Sequence, residues 1–149
     1  MPVEDRLAEL GIVLPEPGRP VASYVMAQRS GSLLFLSGHI AKRDGVPVVG
    51  IVGGDITREE AQQLARQVAI DLLSTARDAV SSLDAVRVVK LTGFVRSAPG
   101  FTEQPFVING ASDLFVEVFG ERGRHSRSAV GVSELPLGAA LEIEAVFEV

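Results

Sequence analysis

Apolar positions recur every three or four residues from Ala61 to Ala76, and this run frames the rest of the chain. Ala61, Leu64, Ala65, Val68, Ala69, Leu72, Leu73 and Ala76 form one stripe; Gln62, Gln63, Arg66 and Asp71 take the polar face. The spacing predicts an amphipathic helix. Thr57, with Glu60 three residues later, is a capping box that starts it, and Ser81–Asp84 ends it. Four of the stripe residues are alanine, so the helix can lie close to a sheet.

Elsewhere the period falls to two. Tyr24–Gln28 and Leu33–Ser37 read as a hairpin around Arg29-Ser30-Gly31-Ser32. Val48–Val52 reads as a further strand. In Val86–Val95, Val86, Val88 and Phe94 alternate with Val89, Leu91 and Val95, so both faces are partly apolar. One face takes a helix layer; the other is left for an interface. A second helix opens near Asn109 and runs to about Phe119, with Leu114, Phe115, Val118 and Phe119 inward and Gly120 and Gly123 ending it. Ala129–Val132 and Leu141–Val149 are the last strands, and Glu142, Glu144 and Glu148 share one face of the second. At the other end, residues 3–10 read as a short helix stopped by Gly11, and 12–20 as a proline-bearing arm. Residues 1–149 are expected to form one domain, with 1–20 as N-terminal helix and arm.

Composition narrows the chemistry. There are no cysteines, so there is no disulfide and no thiolate nucleophile. Two widely separated histidines argue against a metal site. A net charge of −5 and a scarcity of aromatics argue against a nucleic-acid partner. No apolar run reaches the ~18 residues of a membrane span, and Met-Pro-Val-Glu-Asp does not begin a signal peptide. The expected location is the cytoplasm.

Arg127 and Glu142 carry the candidate chemistry. Glu134-Leu135-Pro136-Leu137-Gly138 lies between their runs and is expected to turn the chain back, laying the two side by side. An arginine fork grips a carboxylate at two points, and a nearby glutamate not paired with it can hold a water. The plainer reading is a surface ion pair between adjacent strands. Arg122, Arg124, His125 and Arg127 also make a small basic cluster.

Ser126-Arg127-Ser128-Ala129-Val130, through Leu135-Pro136 to Leu141-Glu142-Ile143-Glu144-Ala145, resembles the C-terminal signature of the RidA (YjgF) family. These are the reactive-intermediate or imine deaminases, once labelled L-PSP endoribonucleases. Leu36-Ser37-Gly38-His39-Ile40, downstream of Tyr24, resembles the family's Ser-Gly-Gln-Ile segment, with His39 in place of glutamine; Asn109 is a third match. The pair before the arginine, His125-Ser126, departs from the family's usual Pro-Ala.

The resemblance implies an α+β, chorismate-mutase-like fold: a mixed sheet with two long helices on one face, assembled as a trimeric barrel with a pocket at each interface. It implies hydrolysis of 2-imino acids or their enamine tautomers to 2-keto acids and ammonia, without a cofactor. Arg127 would clamp the substrate carboxylate and Glu142 would handle water; Tyr24, Ser37, Gly38, His39 and Asn109 would line the pocket. A non-catalytic module for small carboxylates and an endoribonuclease are the alternatives.

Overall fold

Thr57 caps the longest helix as its spacing requires: its Oγ1 accepts the Glu60 N–H at 3.1 Å. The computed structural model describes residues 1–149. In chain order the elements are α1 (Val3–Glu9), β1 (Ala27–Ser30), β2 (Leu33–Ile40), β3 (Lys42–Arg43), β4 (Val46–Pro47), α2 (Arg58–Val80), β5 (Arg87–Arg96), α3 (Gln104–Phe119), β6 (Ser126–Val132) and β7 (Leu141–Glu148). Five strands form one sheet in the order β1-β2-β7-β5-β6. Only β5 and β6 pair parallel, and α3 supplies the crossover that a parallel pair needs.

Helices α2 and α3 cover one face of this mixed sheet. The alanine stripe of α2 is buried throughout, and Phe115 of α3 meets Phe147 of β7 edge-on at 5.7 Å. The helices also touch each other closely. A Cβ added at Gly110 of α3 would overlap the backbone carbonyl of Gln62. Gly110→Ala is therefore expected to destabilise the fold despite a helix-propensity gain of about 1 kcal/mol. Overpacking costs about 1–3 kcal/mol, and a backbone carbonyl yields less than a side chain. A lower urea midpoint with unchanged slope is the expected result; an equal or higher midpoint would show that the helices part without cost.

Several elements differ from the expectations. The hairpin turns at Gly31-Ser32, with Gly31 at φ 60°, and Tyr24 lies outside the ladder. Val48–Val52 makes only isolated bridges, to Ala139, Ile56 and Ser97; the ladder nearby is the short β3–β4 hairpin. Asn109 does not open a helix, because α3 has already begun at Gln104. Pro105 fits a first helical turn, where its missing N–H costs nothing, and Gly110 serves helix packing instead of a loop.

In β5 a register shift between Val88 and Lys90 leaves Val89 as an extra residue. Val88 and Leu91 are consequently both buried and the expected alternation is broken. Beyond the bulge, Leu91, Gly93 and Val95 face the helices, while Thr92 and Phe94 face away.

The largest difference concerns β6 and β7. They are not side by side, because β5 lies between them. Val132 ends beside Arg96 and Leu141 starts beside Val95, so the connecting loop steps over the end of β5. Arg96 holds that loop, donating to the Gly138 carbonyl at 3.1 Å and pairing with Glu134 at 3.1 Å.

Candidate functional site

Glu142 stands on the sheet face away from the helices, flanked by Phe94 of β5 and Ile40 of β2. A bulge in β2 shapes its surroundings. Leu36 pairs with Ala145 and His39 with Ile143, so β2 carries one extra residue there. A Cβ at Gly38 would sit 2.5 Å from the Glu142 carboxylate, so only glycine lets the carboxyl lie over the main chain of β2. Burial, and then the charge of Glu144 on the same face, raise the Glu142 pKa above its ordinary value. Glu142, Gly38 and Tyr24 line a cleft of about 1030 Å³, bounded by the arm, the β3–β4 hairpin, α2 and Leu137.

The same bulge turns His39 inward. Its Nδ1 lies 2.6 Å from the Ser37 carbonyl and its Nε2 2.8 Å from the Thr75 hydroxyl. A carbonyl only accepts, so Nδ1 carries the proton and Thr75 donates to Nε2. Burial lowers the His39 pKa, and the ring is a neutral core group. It lines the same cleft as Gly38 and Glu142, with both ring nitrogens engaged within the chain. Ser37 is also occupied. Its hydroxyl donates to the Val25 carbonyl at 2.6 Å and its N–H to that of Met26 at 2.9 Å, which ties the segment carrying Tyr24 to β2.

Arg127 lies elsewhere. It pairs with Leu91 on edge strand β6, and its side chain runs on the helix side of the sheet. Nη1 donates to the Ser112 hydroxyl at 3.1 Å and Nη2 to the Pro105 carbonyl at 3.2 Å, both on α3. Eight ion pairs occur in the fold and Arg127 is in none of them. Asn109 is one turn from both Pro105 and Ser112, so it shares the α3 face beside Arg127. From the register, Arg127 and Glu142 lie about 10 Å apart across the sheet and about 10 Å along it, on opposite faces. The surface ion pair between adjacent strands does not exist.

The structure therefore divides the expected residues into two groups: Arg127 with Asn109, and Glu142 with Gly38, His39 and Tyr24. Ser112 was missed, since a serine within a helix gives no signal. The basic cluster divides: Arg122 and Arg124 turn away, while His125 and Arg127 meet at Ser112. Arg122 donates to the Asp84 and Val86 carbonyls, Arg124 pairs with Glu121, and His125 lies against Ser112. No three acidic or imidazole side chains converge to hold a metal ion, and no helix is long and apolar enough to cross a membrane.

A five-stranded mixed sheet under two helices, with an unpaired arginine at one edge and a half-buried carboxyl over a glycine on the open face, defines a small α+β protein of L-PSP type. The family model for endoribonuclease L-PSP matches residues 16–149, and the chain belongs to this RidA/YjgF/L-PSP family. It is 48% identical to Protein TCP17 of Trypanosoma cruzi, over 98% of this chain and 93% of the relative. It superposes with TM-score 0.91 on the crystal structure of Atu1372 from Agrobacterium tumefaciens, a protein of unknown function; identity is 44%, covering 99% of this chain and 92% of that one. A 2-iminobutanoate/2-iminopropanoate deaminase of Dermatophagoides farinae is 30% identical over 91% of this chain and 92% of its own.

Proposed function

We propose that this protein hydrolyses 2-imino acids, or their enamine tautomers, to 2-keto acids and ammonia, at sites shared between the chains of a homotrimer. Arg127 of one copy and Glu142 of the next complete each site. The observation that carries this reading is the separation of the two residues within one chain, with Arg127 lacking any carboxylate partner. The open sheet face supports the assembly. It presents Phe35, Val89, Phe94, Val130 and Val146, with Phe35 45% exposed, and such a face is ordinarily covered by a partner. The named activity of the mite relative supports the reaction class.

The Arg127 fork holds the substrate carboxylate and thereby fixes the imine carbon. Glu142 takes a proton from water as the oxygen attacks that carbon and returns it to nitrogen, giving a carbinolamine; it then carries the hydroxyl proton to nitrogen as the C=O bond forms and the C–N bond breaks. One water enters, and one keto acid and one ammonia leave. A carboxyl with a raised pKa is a better base for this step than an ordinary one. The imine carbon is already electrophilic, so the step needs no cofactor. Tyr24 packs at the rim. Engagement of Arg122 by carbonyls and of Arg124 by Glu121 works against the nuclease alternative.

The test is decay of enzymatically generated 2-aminoacrylate, with light scattering on the same sample. Accelerated decay and about three times the chain mass are expected. A stable monomer would remove the shared site. A trimer that binds 2-keto acids but accelerates no imine would be a carboxylate-binding module.

A further inference from the structure

Behind Arg127 lies a chain of hydrogen bonds with only one consistent direction. His125 Nδ1 lies 2.6 Å from the Gly123 carbonyl, so Nδ1 carries a proton. In the neutral ring Nε2 is then a bare acceptor. It lies 2.9 Å from the Ser112 Oγ, so the serine hydroxyl donates to it. That leaves the Oγ lone pairs turned toward Arg127 Nη1 at 3.1 Å. Phe115 meets the imidazole edge-on at 5.9 Å and holds its plane.

We infer that Ser112 and His125 form a positioning relay that holds the Arg127 fork ready for a carboxylate while the imidazole is neutral, and that protonation of His125 releases the fork. This rests on the reading of Arg127 as the carboxylate clamp. When Nε2 gains a proton it becomes a donor. Ser112 Oγ has lone pairs for both donors, but the imidazolium and guanidinium would then repel across one oxygen and the hydroxyl hydrogen would lose its acceptor, which favours release of the fork.

The surroundings offer nothing to neutralise the new charge. Arg127 on β6 is itself a cation. On the turn before β6, Glu121 is paired with Arg124, and Arg122 is bound to carbonyls near the start of β5. Lys90 of β5 pairs with Ser126 and lies on the other sheet face. On α3, Phe115 and Ser112 face the ring, while Asp113 is exposed. Burial, followed by the Arg127 charge, lowers the His125 pKa from its ordinary value. The fork is thus held at neutral pH and released only in acid.

The probe is pyruvate, titrated between pH 7.5 and 5 in a Glu142→Gln background, which removes the competing effect of that carboxyl on anion binding. Affinity is expected to fall about tenfold as pH drops through the His125 pKa. By linkage, saturating pyruvate should lower that pKa, followed in the nitrogen NMR spectrum of the two histidines. A histidine acting only as a nearby cation gives the opposite signs: tighter binding in acid and a pKa raised by pyruvate. Either sign would overturn the relay, as would an Nε2–H tautomer at neutral pH.

Ser112→Ala is expected to bind weakly at every pH, and Ser112→Thr to restore binding. His125→Ala should also bind weakly. His125→Gln, whose amide oxygen replaces Nε2 as acceptor, should recover most of the affinity with no pH step. The Arg127 guanidinium resonances report without any ligand. They should broaden through the His125 titration in the parent and not in His125→Gln; unchanged resonances would end the proposal. Failure of pyruvate to depend on Arg127 would instead overturn the clamp.

Discussion

Arg127→Lys is expected to lose imine hydrolysis almost as completely as Arg127→Ala. The fork is held by two bonds in different directions, to Ser112 Oγ and to the Pro105 carbonyl. That leaves its remaining N–H groups for a carboxylate. A lysine ammonium keeps the charge but is a point donor without the planar pair. It can reach the carbonyl or the substrate, not both in register. Loss of a charge-assisted, two-point contact made in the transition state is worth on the order of 2–3 kcal/mol, or about 30- to 150-fold in kcat/KM. Folding should be spared, since Arg127 lies on an edge strand and is part of no ion pair. The thermal midpoint should therefore stay near that of the parent while kcat/KM collapses. Parent-like turnover by Arg127→Ala would show that the clamp has been misplaced.

What could be read from the chain follows the range of the interactions involved. The α2 stripe is local: residues three and four apart share a face wherever the helix sits, so its cap and buried side were legible. The strand alternation was legible only until a bulge intervened. Val89 in β5 and the Ser37-Gly38 step in β2 each insert a residue because of what the partner strand does, and no local pattern announces that. The second bulge is why His39, expected to line the pocket, does so with its ring nitrogens engaged by Ser37 and Thr75. Strand order is less local still. Nothing within Arg127–Glu142 says that the upstream strand Arg87–Arg96 will slip between the two runs. The identities of both residues were legible through family resemblance, whereas their separation was not. That separation is what the proposed site between chains is built on. Leu137, exposed at the cleft rim with φ 59°, is a further case: the left-handed backbone of a leucine is imposed by the loop that Arg96 holds.

Glu142→Gln should be the most damaging single change. Glutamine keeps the shape that lies over Gly38, but it cannot take a proton from water. General-base removal typically costs about 10²–10⁴ in rate. The variant should still bind pyruvate if Arg127 is the clamp, as proposed; loss of binding with the trimer intact would make Glu142 a ligand contact instead.

Mixing separates a shared site from a private one. Arg127→Ala and Glu142→Gln, each strongly impaired alone, are to be co-expressed so that their chains assort within trimers. If each site takes its arginine from one chain and its glutamate from the next, random assortment pairs two intact residues at about a quarter of the interfaces, and about a quarter of parent activity should return. If both residues served one site within a chain, every chain would carry one defect and no mixture would recover. The structure favours recovery, because β5 and the thickness of the sheet stand between Arg127 and Glu142 in any single copy. A mixture that stays inactive while forming mixed trimers would mean that the two residues never meet across the interface, and the hydrolytic assignment would lose its geometric basis.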